Sequence, residues 1–195
     1  MSTTLNNTRI ALEAAISGET EAIGKYGAYS DKASQEGFPN IAYLFKALVK
    51  AEKYHVRNHS NALNLISKEE FNPNEPRIAV NSTLENVKDA IESEHYEAHK
   101  MYSKFIKDIR NELDEEDARV AKLSFMWTEK VELGHEKALK IALESLENGK
   151  DLNIESIYVC RVCGNLVFNQ PENFCDVCGH DKRYYVDITR SGGEN

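Results

Sequence analysis

The chain has 195 residues, 41% hydrophobic and 29% charged, with 24 Lys+Arg against 32 Asp+Glu for a net charge of −8. At about 150 residues per domain this leaves room for one domain and a small second one, and the composition excludes a disordered chain. An acidic balance argues against a nucleic-acid partner, whose phosphates need Lys and Arg. No apolar stretch approaches the ~20 residues of a membrane span. The start, Met1-Ser2-Thr3-Thr4-Leu5-Asn6-Asn7, lacks the basic and apolar regions of a signal peptide, so the expectation is cytoplasmic.

In chain order, helix 1 is predicted from about Leu5 to Glu36, stopped by Gly37. Pro39 opens helix 2, which runs to about Ile66, since proline suits the first helical position. A polar stretch from Ser67 to Asn81 holds Pro73 and Pro76. Ser82-Thr83-Leu84-Glu85 is a capping box and starts helix 3, which runs to about Glu112. Asp114 is the expected cap of helix 4, ending near Asn148 and Gly149. Helices near 30 residues are ~45 Å long. The ~15-residue stretch between helices 2 and 3 spans ~50 Å when extended, enough to run the length of the bundle. The predicted architecture is mainly α, a ferritin-like four-helix bundle with one long crossover. Short β-type runs at Ile157-Tyr158-Val159, Leu166-Val167-Phe168 and Tyr184-Tyr185-Val186 make a small β-rich C-terminal domain. The expected division is 1–148 for the bundle, 149–156 for a linker and 157–195 for the tail. A frayed end is expected from Arg190 to Asn195.

Each helix carries an apolar seam in three- and four-residue steps, and each seam is interrupted by a glutamate: Glu19, Glu52, Glu94 and Glu132. All four lie within three residues of their helix midpoints, so they converge at one level. Glu52 and Glu132 are each followed three positions later by a histidine, His55 and His135, on the same helix face. Glu97 flanks the seam one turn after Glu94. Buried carboxylates need a counterion, because each desolvated charge costs several kcal/mol. The seams offer no Lys or Arg at this level. Two divalent cations would supply +4 against −5 from Glu19, Glu52, Glu94, Glu97 and Glu132, and oxygen-rich ligation with one imidazole per metal suits iron or manganese. His59, one turn beyond His55, reads as a packed or supporting histidine, and Glu92-x-x-His95 as a chance pair outside the seam.

All four cysteines fall in two Cys-x-x-Cys-Gly knuckles, Cys160/Cys163 and Cys175/Cys178. Four thiols this close, without an export signal, indicate a tetrahedral metal site instead of disulfides. Tetrahedral sulfur fits zinc or iron.

Together the two parts resemble the rubrerythrin family over nearly the whole chain. The carriers are Gly18-Glu19, Glu52-Lys53-Tyr54-His55, Glu94-His95-Tyr96-Glu97 with Met101-Tyr102, Glu132-Leu133-Gly134-His135-Glu136-Lys137, and the knuckles of a rubredoxin-like domain. The resemblance implies a non-haem di-iron peroxidase that reduces hydrogen peroxide to water. Two irons would sit in the bundle and one iron (zinc being possible) in the four-cysteine site. Electrons would arrive from a rubredoxin-type or NAD(P)H-oxidoreductase donor. It also implies that Glu97 and His55 exchange on one iron with oxidation state. Tyr26 and Tyr102 would lie close to the cluster, and the chain would form a homodimer or larger assembly. Asp176 and Asn165 depart from the usual knuckle residues. The rival readings are a ferroxidase or iron store, and a zinc-ribbon adaptor with a metal-binding bundle.

Overall fold

The apolar seams fold as their periodicity requires. The structure, a computed structural model, describes residues 5–67, 71–190 and 192–193. Residues 1–4, three residues of the expected crossover (68–70), and 191, 194 and 195 of the expected frayed end lie outside the described residues. Helices α1 (Asn6–Gln35) and α2 (Pro39–Ile66) form an antiparallel pair. Gly37, at φ +86°, makes the turn between them. A crossover then returns along α1, where Gly24 leaves room that a Cβ would take from Ile78. Helix α3 (Thr83–Tyr96) starts from the capping box, with Ser82 and Glu85 bonding reciprocally. Helix α5 (Glu116–Glu147) packs against α3 and α2.

Among the helices, two details depart from the sequence reading. Helix 3 is not continuous to Glu112. After α3 the backbone widens into a π turn over Glu97–Met101, resumes as α4 (Tyr102–Asp108), and ends in a 3-10 turn at Arg110–Glu112. Such π turns are rare and cluster at functional sites. Asp114 is not the cap of the last helix. Glu115 takes that position with extended backbone and no side-chain bond, and Glu116 and Asp117 in the first turn supply the charge favoured at a helix N-terminus.

Three helix starts, that of α3 in addition to its capping box, are held by carboxylates from far away in the chain. Glu112 accepts from the backbone N–H of Asn7 and Thr8, at 3.0 and 2.8 Å. Asp151 accepts from the N–H of Asn40 and Ile41, at 2.8 and 3.1 Å. Glu36 accepts from the N–H of Thr83 at 2.8 Å. Each puts a carboxylate on otherwise unpaired N–H groups at the positive end of a helix.

Strands β1 (Ile157–Cys160), β2 (Leu166–Phe168) and β3 (Tyr185–Asp187) form an antiparallel sheet in the order β2-β1-β3. Tyr158 pairs with Val167, and Val159 with Val186. The sheet does not hang free. Ile157, Val159, Val186 and Ile188 are buried in one core with Tyr43, Leu44 and Leu48 of α2. Tyr43 Oη donates to the Ile188 carbonyl at 2.5 Å and accepts from Ile157 N–H at 2.9 Å. Leu152 and Ile154, in the segment read as a linker, join that core. Arg190, expected to fray, instead lies over the Tyr43 ring at 4.7 Å, and its carbonyl accepts from Lys46 at 2.7 Å.

Candidate metal centres

The four helices bring Glu19, Glu52, Glu94 and Glu132 to one level with His55 and His135, each of them 0 to 1% exposed. The donors fall into two groups that share two glutamates. Glu19, Glu52, His55 and Glu132 form one, and Glu52, Glu94, Glu132 and His135 the other, with donor atoms within 4.8 Å in each. The shared residues divide their oxygens evenly. Glu52 Oε2 and Glu132 Oε1 lie 2.7 and 2.9 Å from His55 Nδ1. Glu52 Oε1 and Glu132 Oε2 lie 3.4 and 2.7 Å from His135 Nδ1. Glu19 completes the first side at 3.7 Å and Glu94 the second at 3.5 Å. This is a pseudo-twofold arrangement with two bridging positions and two terminal ones.

The protein alone leaves the arrangement unsatisfied. Glu19 Oε2, both oxygens of Glu52 and of Glu132, Glu94 Oε2 and His55 Nδ1 are buried without a well-formed hydrogen bond. Burial and the nearby Glu52 push Glu19 up to about 8. Burial and neighbouring carboxylates likewise push Glu94 and Glu97 well above the carboxylate range. Burial also opposes ionisation of Glu52 and Glu132, but His55 and His135 outweigh it and lower both. The imidazoles are the only cationic groups among these donors, and they are too few for the carboxylates. Orphaned oxygens facing inward in this number fit a pair of divalent cations.

The histidine tautomer supports the same fit. His55 Nε2 lies 3.0 Å from the Cys163 carbonyl and so carries a proton, which leaves Nδ1, on the carboxylate side, as the nitrogen a metal would take in place of its proton. His59 is buried but outside both groups, which agrees with a supporting part. Ser124 Oγ lies 2.6 Å from its Nδ1, and its Nε2 lies 3.1 Å from Tyr102 Oη. Burial, reinforced by His55, lowers His59 to about 3, so it is neutral. Tyr102 donates to Glu19, and Tyr26 Oη donates to Glu94 Oε1 at 2.5 Å. Each terminal glutamate therefore receives one tyrosine. Glu97 stands apart. It is 9% exposed at the first residue of the π turn and belongs to neither donor group.

The four cysteine sulfurs lie within 4.8 Å of one another. Cys160 and Cys178 are 3.8 Å apart, and Cys163 and Cys175 3.6 Å. Those separations are far beyond a ~2.05 Å disulfide. They match a tetrahedron with metal–sulfur bonds of ~2.3 Å, whose edges are about 3.75 Å. The two knuckles are built alike, with Gly164 N–H on the Cys160 carbonyl and Gly179 N–H on the Cys175 carbonyl, both at 2.8 Å. Asn165, one of the two departures from the usual knuckle residues, is 7% exposed and points its amide at Cys175 Sγ (3.6 Å) and Tyr185 Oη (2.7 Å).

The two centres touch. Besides the His55–Cys163 contact, Arg57 donates to the Arg161 carbonyl at 2.7 Å and Asn58 to the Val162 carbonyl at 2.8 Å. Gly164 sits so close that a Cβ there would meet His55 Nε2 at 2.4 Å. Sequence reasoning missed this latch, whose residues look like ordinary polar surface of α2. It also missed a third cluster of His95, His99 and Glu136. The four-residue histidine spacing was its available signal.

Comparison with known proteins agrees with this construction. The rubrerythrin family model matches residues 11–143. A putative rubrerythrin of Methanocaldococcus jannaschii is 30% identical over 95% of this chain and 92% of its own length. Rubrerythrin-2 of Clostridium acetobutylicum is 29% identical over 88% of this chain and 91% of its own. A solved structure of nigerythrin in a mixed-valence state superposes with a TM-score of 0.80 at 26% identity, covering 96% of this chain and 87% of that one. The family binds a di-iron pair and a further iron held by four cysteines, and the carboxylate–histidine cluster and the gathered thiols accommodate both. The chain is a member of the rubrerythrin family, an iron-binding oxidoreductase with a ferritin-like bundle and a rubredoxin-like tail.

Proposed function

We propose that this protein is a hydrogen peroxide reductase, H2O2 + 2e− + 2H+ → 2H2O, fed one electron at a time through its tail. In this reading Glu19, Glu52, His55, Glu94, Glu132 and His135 hold two irons, with Glu97 exchanging against His55. Cys160, Cys163, Cys175 and Cys178 hold the third. The bundle is then residues 1–148, the linker 149–156 and the redox tail 157–195. When bound, the iron pair supplies two electrons and a Lewis acid for cleaving the O–O bond.

The observation that carries the reading is the hydrogen bond from His55 Nε2 to the Cys163 carbonyl. It joins a thiolate donor of one centre to an imidazole donor of the other within one chain, through Cys163 alone. An iron store has no use for that connection, and neither has a structural zinc ribbon.

Protons need their own route, and the chain offers one. Ser124 donates to His59 Nδ1, His59 Nε2 donates to Tyr102, and Tyr102 donates to Glu19. A neutral His59 passes a proton from Nε2 while taking one at Nδ1, so the row can move a proton toward Glu19 and reset. Tyr26 holds the matching place at Glu94.

The external partners are a rubredoxin-type or NAD(P)H-linked donor and a second copy of the chain, with the cytoplasm as the compartment. The acidic balance leaves nucleic acid out, and among the described residues no helix is long and apolar enough to cross a membrane. The test is anaerobic mixing of the fully reduced protein with hydrogen peroxide. One peroxide should be consumed per di-iron pair, with two waters formed. Steady turnover should need only NAD(P)H and a donor. Added ferrous iron oxidised and retained as ferric mineral on each subunit, in place of repeated peroxide turnover, would establish the ferroxidase alternative.

A further inference from the structure

We propose that His95, His99 and Glu136 form a third metal site, open to solvent, for a borderline divalent cation of the Zn2+ or Fe2+ type. The site lies on the outside of the wall whose inner side holds Glu94 and His135. His95 follows Glu94 at the end of α3, and Glu136 follows His135 on α5. The side chains of His95 and His99 are 53% and 47% exposed, while that of Glu136 is only 7% exposed. A buried carboxylate thus forms the floor and two imidazoles the rim.

The geometry is that of a chelate. His95 Nδ1 lies 3.1 Å from Glu136 Oε1, His99 Nε2 lies 3.5 Å from Oε2, and all three donors fall within 4.8 Å. Donors bound at ~2.0–2.2 Å sit about 3.0–3.5 Å apart across a tetrahedral or octahedral edge, so little movement closes the site. The ring centroids are 4.3 Å apart. Their four-residue spacing puts both imidazoles on one helix face, as in helical bis-histidine sites. Two imidazoles and one carboxylate with free positions suit iron, zinc and similar ions more than magnesium or calcium.

A positive charge already occupies this spot. Lys140 Nζ lies 2.6 Å from Glu136 Oε1, with its side chain 58% exposed and free to swing outward. The lysine therefore competes with a metal, and that competition separates a built site from two stray surface histidines.

The test uses iron-loaded protein titrated calorimetrically with Zn2+ at neutral pH, with iron release measured in parallel. One Zn2+ should bind beyond the three irons, without iron loss. The exposed pair H95A/H99A should abolish that equivalent at unchanged iron content. Losing even a supporting partner typically weakens metal binding ~10–100-fold, so Glu136→Gln should cost at least about tenfold. Lys140→Met should tighten binding. The proposal is overturned if the parent takes no extra Zn2+, if uptake equals iron released, if H95A/H99A binds as the parent does, or if Lys140→Met changes nothing.

Discussion

The bundle centre and the tail centre solve opposite problems. The bundle donors come from four helices and span more than a hundred residues, so their positions depend on the whole fold. The tail cysteines span 19 residues, and two small turns place their sulfurs. The first site is held by packing and resents its own charge, with buried oxygens lacking partners. The second is held by local backbone geometry, with N–H groups already on the cysteine carbonyls. A distributed site depends on global stability, whereas a local one can be assembled, lost or exchanged as a unit.

The sharpest way to break this comparison is to remove one donor from each side. Glu132→Ala deletes a bridging position from both donor groups and should lose the cluster iron entirely while sparing the tail iron. Cys175→Ser should do the reverse. Iron analysis with the visible spectrum of each variant reads this out, and loss of iron from both centres in either one would contradict independence.

The contact between the centres comes next in size. Replacing Arg57 and Asn58 together by alanine removes hydrogen bonds to two tail carbonyls, each worth about 0.5–1.5 kcal/mol. Both iron counts should stay at the parent value. Re-reduction of the oxidised cluster should slow roughly tenfold, as the tail spends less time seated. Stopped-flow spectra would show it, and an unchanged rate would mean that the sheet's packing on α2 suffices.

Glu97→Ala should be milder. Glu97 lies outside both donor groups, whereas His55 belongs to one of them. The variant should bind two irons when reduced and hold the oxidised pair less well. Cluster iron retained after repeated peroxide cycles is the measurement; full retention would argue against the exchange.

The smallest effect belongs to a cap. The Thr83 N–H on Glu36 lowers that carboxyl from 4.5 to about 2. A depressed acid stabilises the fold above its unfolded value and loses that contribution as pH falls from about 4.5 through 2. Glu36→Gln should therefore unfold at slightly lower temperature than the parent at pH 7, with the difference vanishing near pH 2. Thermal melts across that window test the sign.

Much of this was legible in the sequence because its signals were periodic or local. A glutamate in an apolar seam violates a pattern, and two Cys-x-x-Cys-Gly runs are patterns in themselves. The capping box at Ser82 was readable for the same reason. What escaped depends on three-dimensional neighbours. Glu36, Glu112 and Asp151 cap helices to which they are not adjacent in sequence, so no spacing rule finds them. The π turn after Tyr96 is made of residues that an ordinary α-helix also takes, so nothing in its sequence announces it. His95 was set aside as half of a chance pair with Glu92, yet its neighbours are His99 and, from another helix, Glu136.

Gly164 has a consequence for both centres. Its backbone, at φ +89°, forms the turn beneath the first pair of sulfurs, and the same residue is where the tail lies against His55. A tail whose sulfurs are not gathered does not present that turn, and a turn carrying any side chain does not fit the space. One missing side chain therefore serves two purposes at once, the turn under the sulfurs and the approach of the tail to His55, so a substitution at Gly164 strains the knuckle and parts the two centres together.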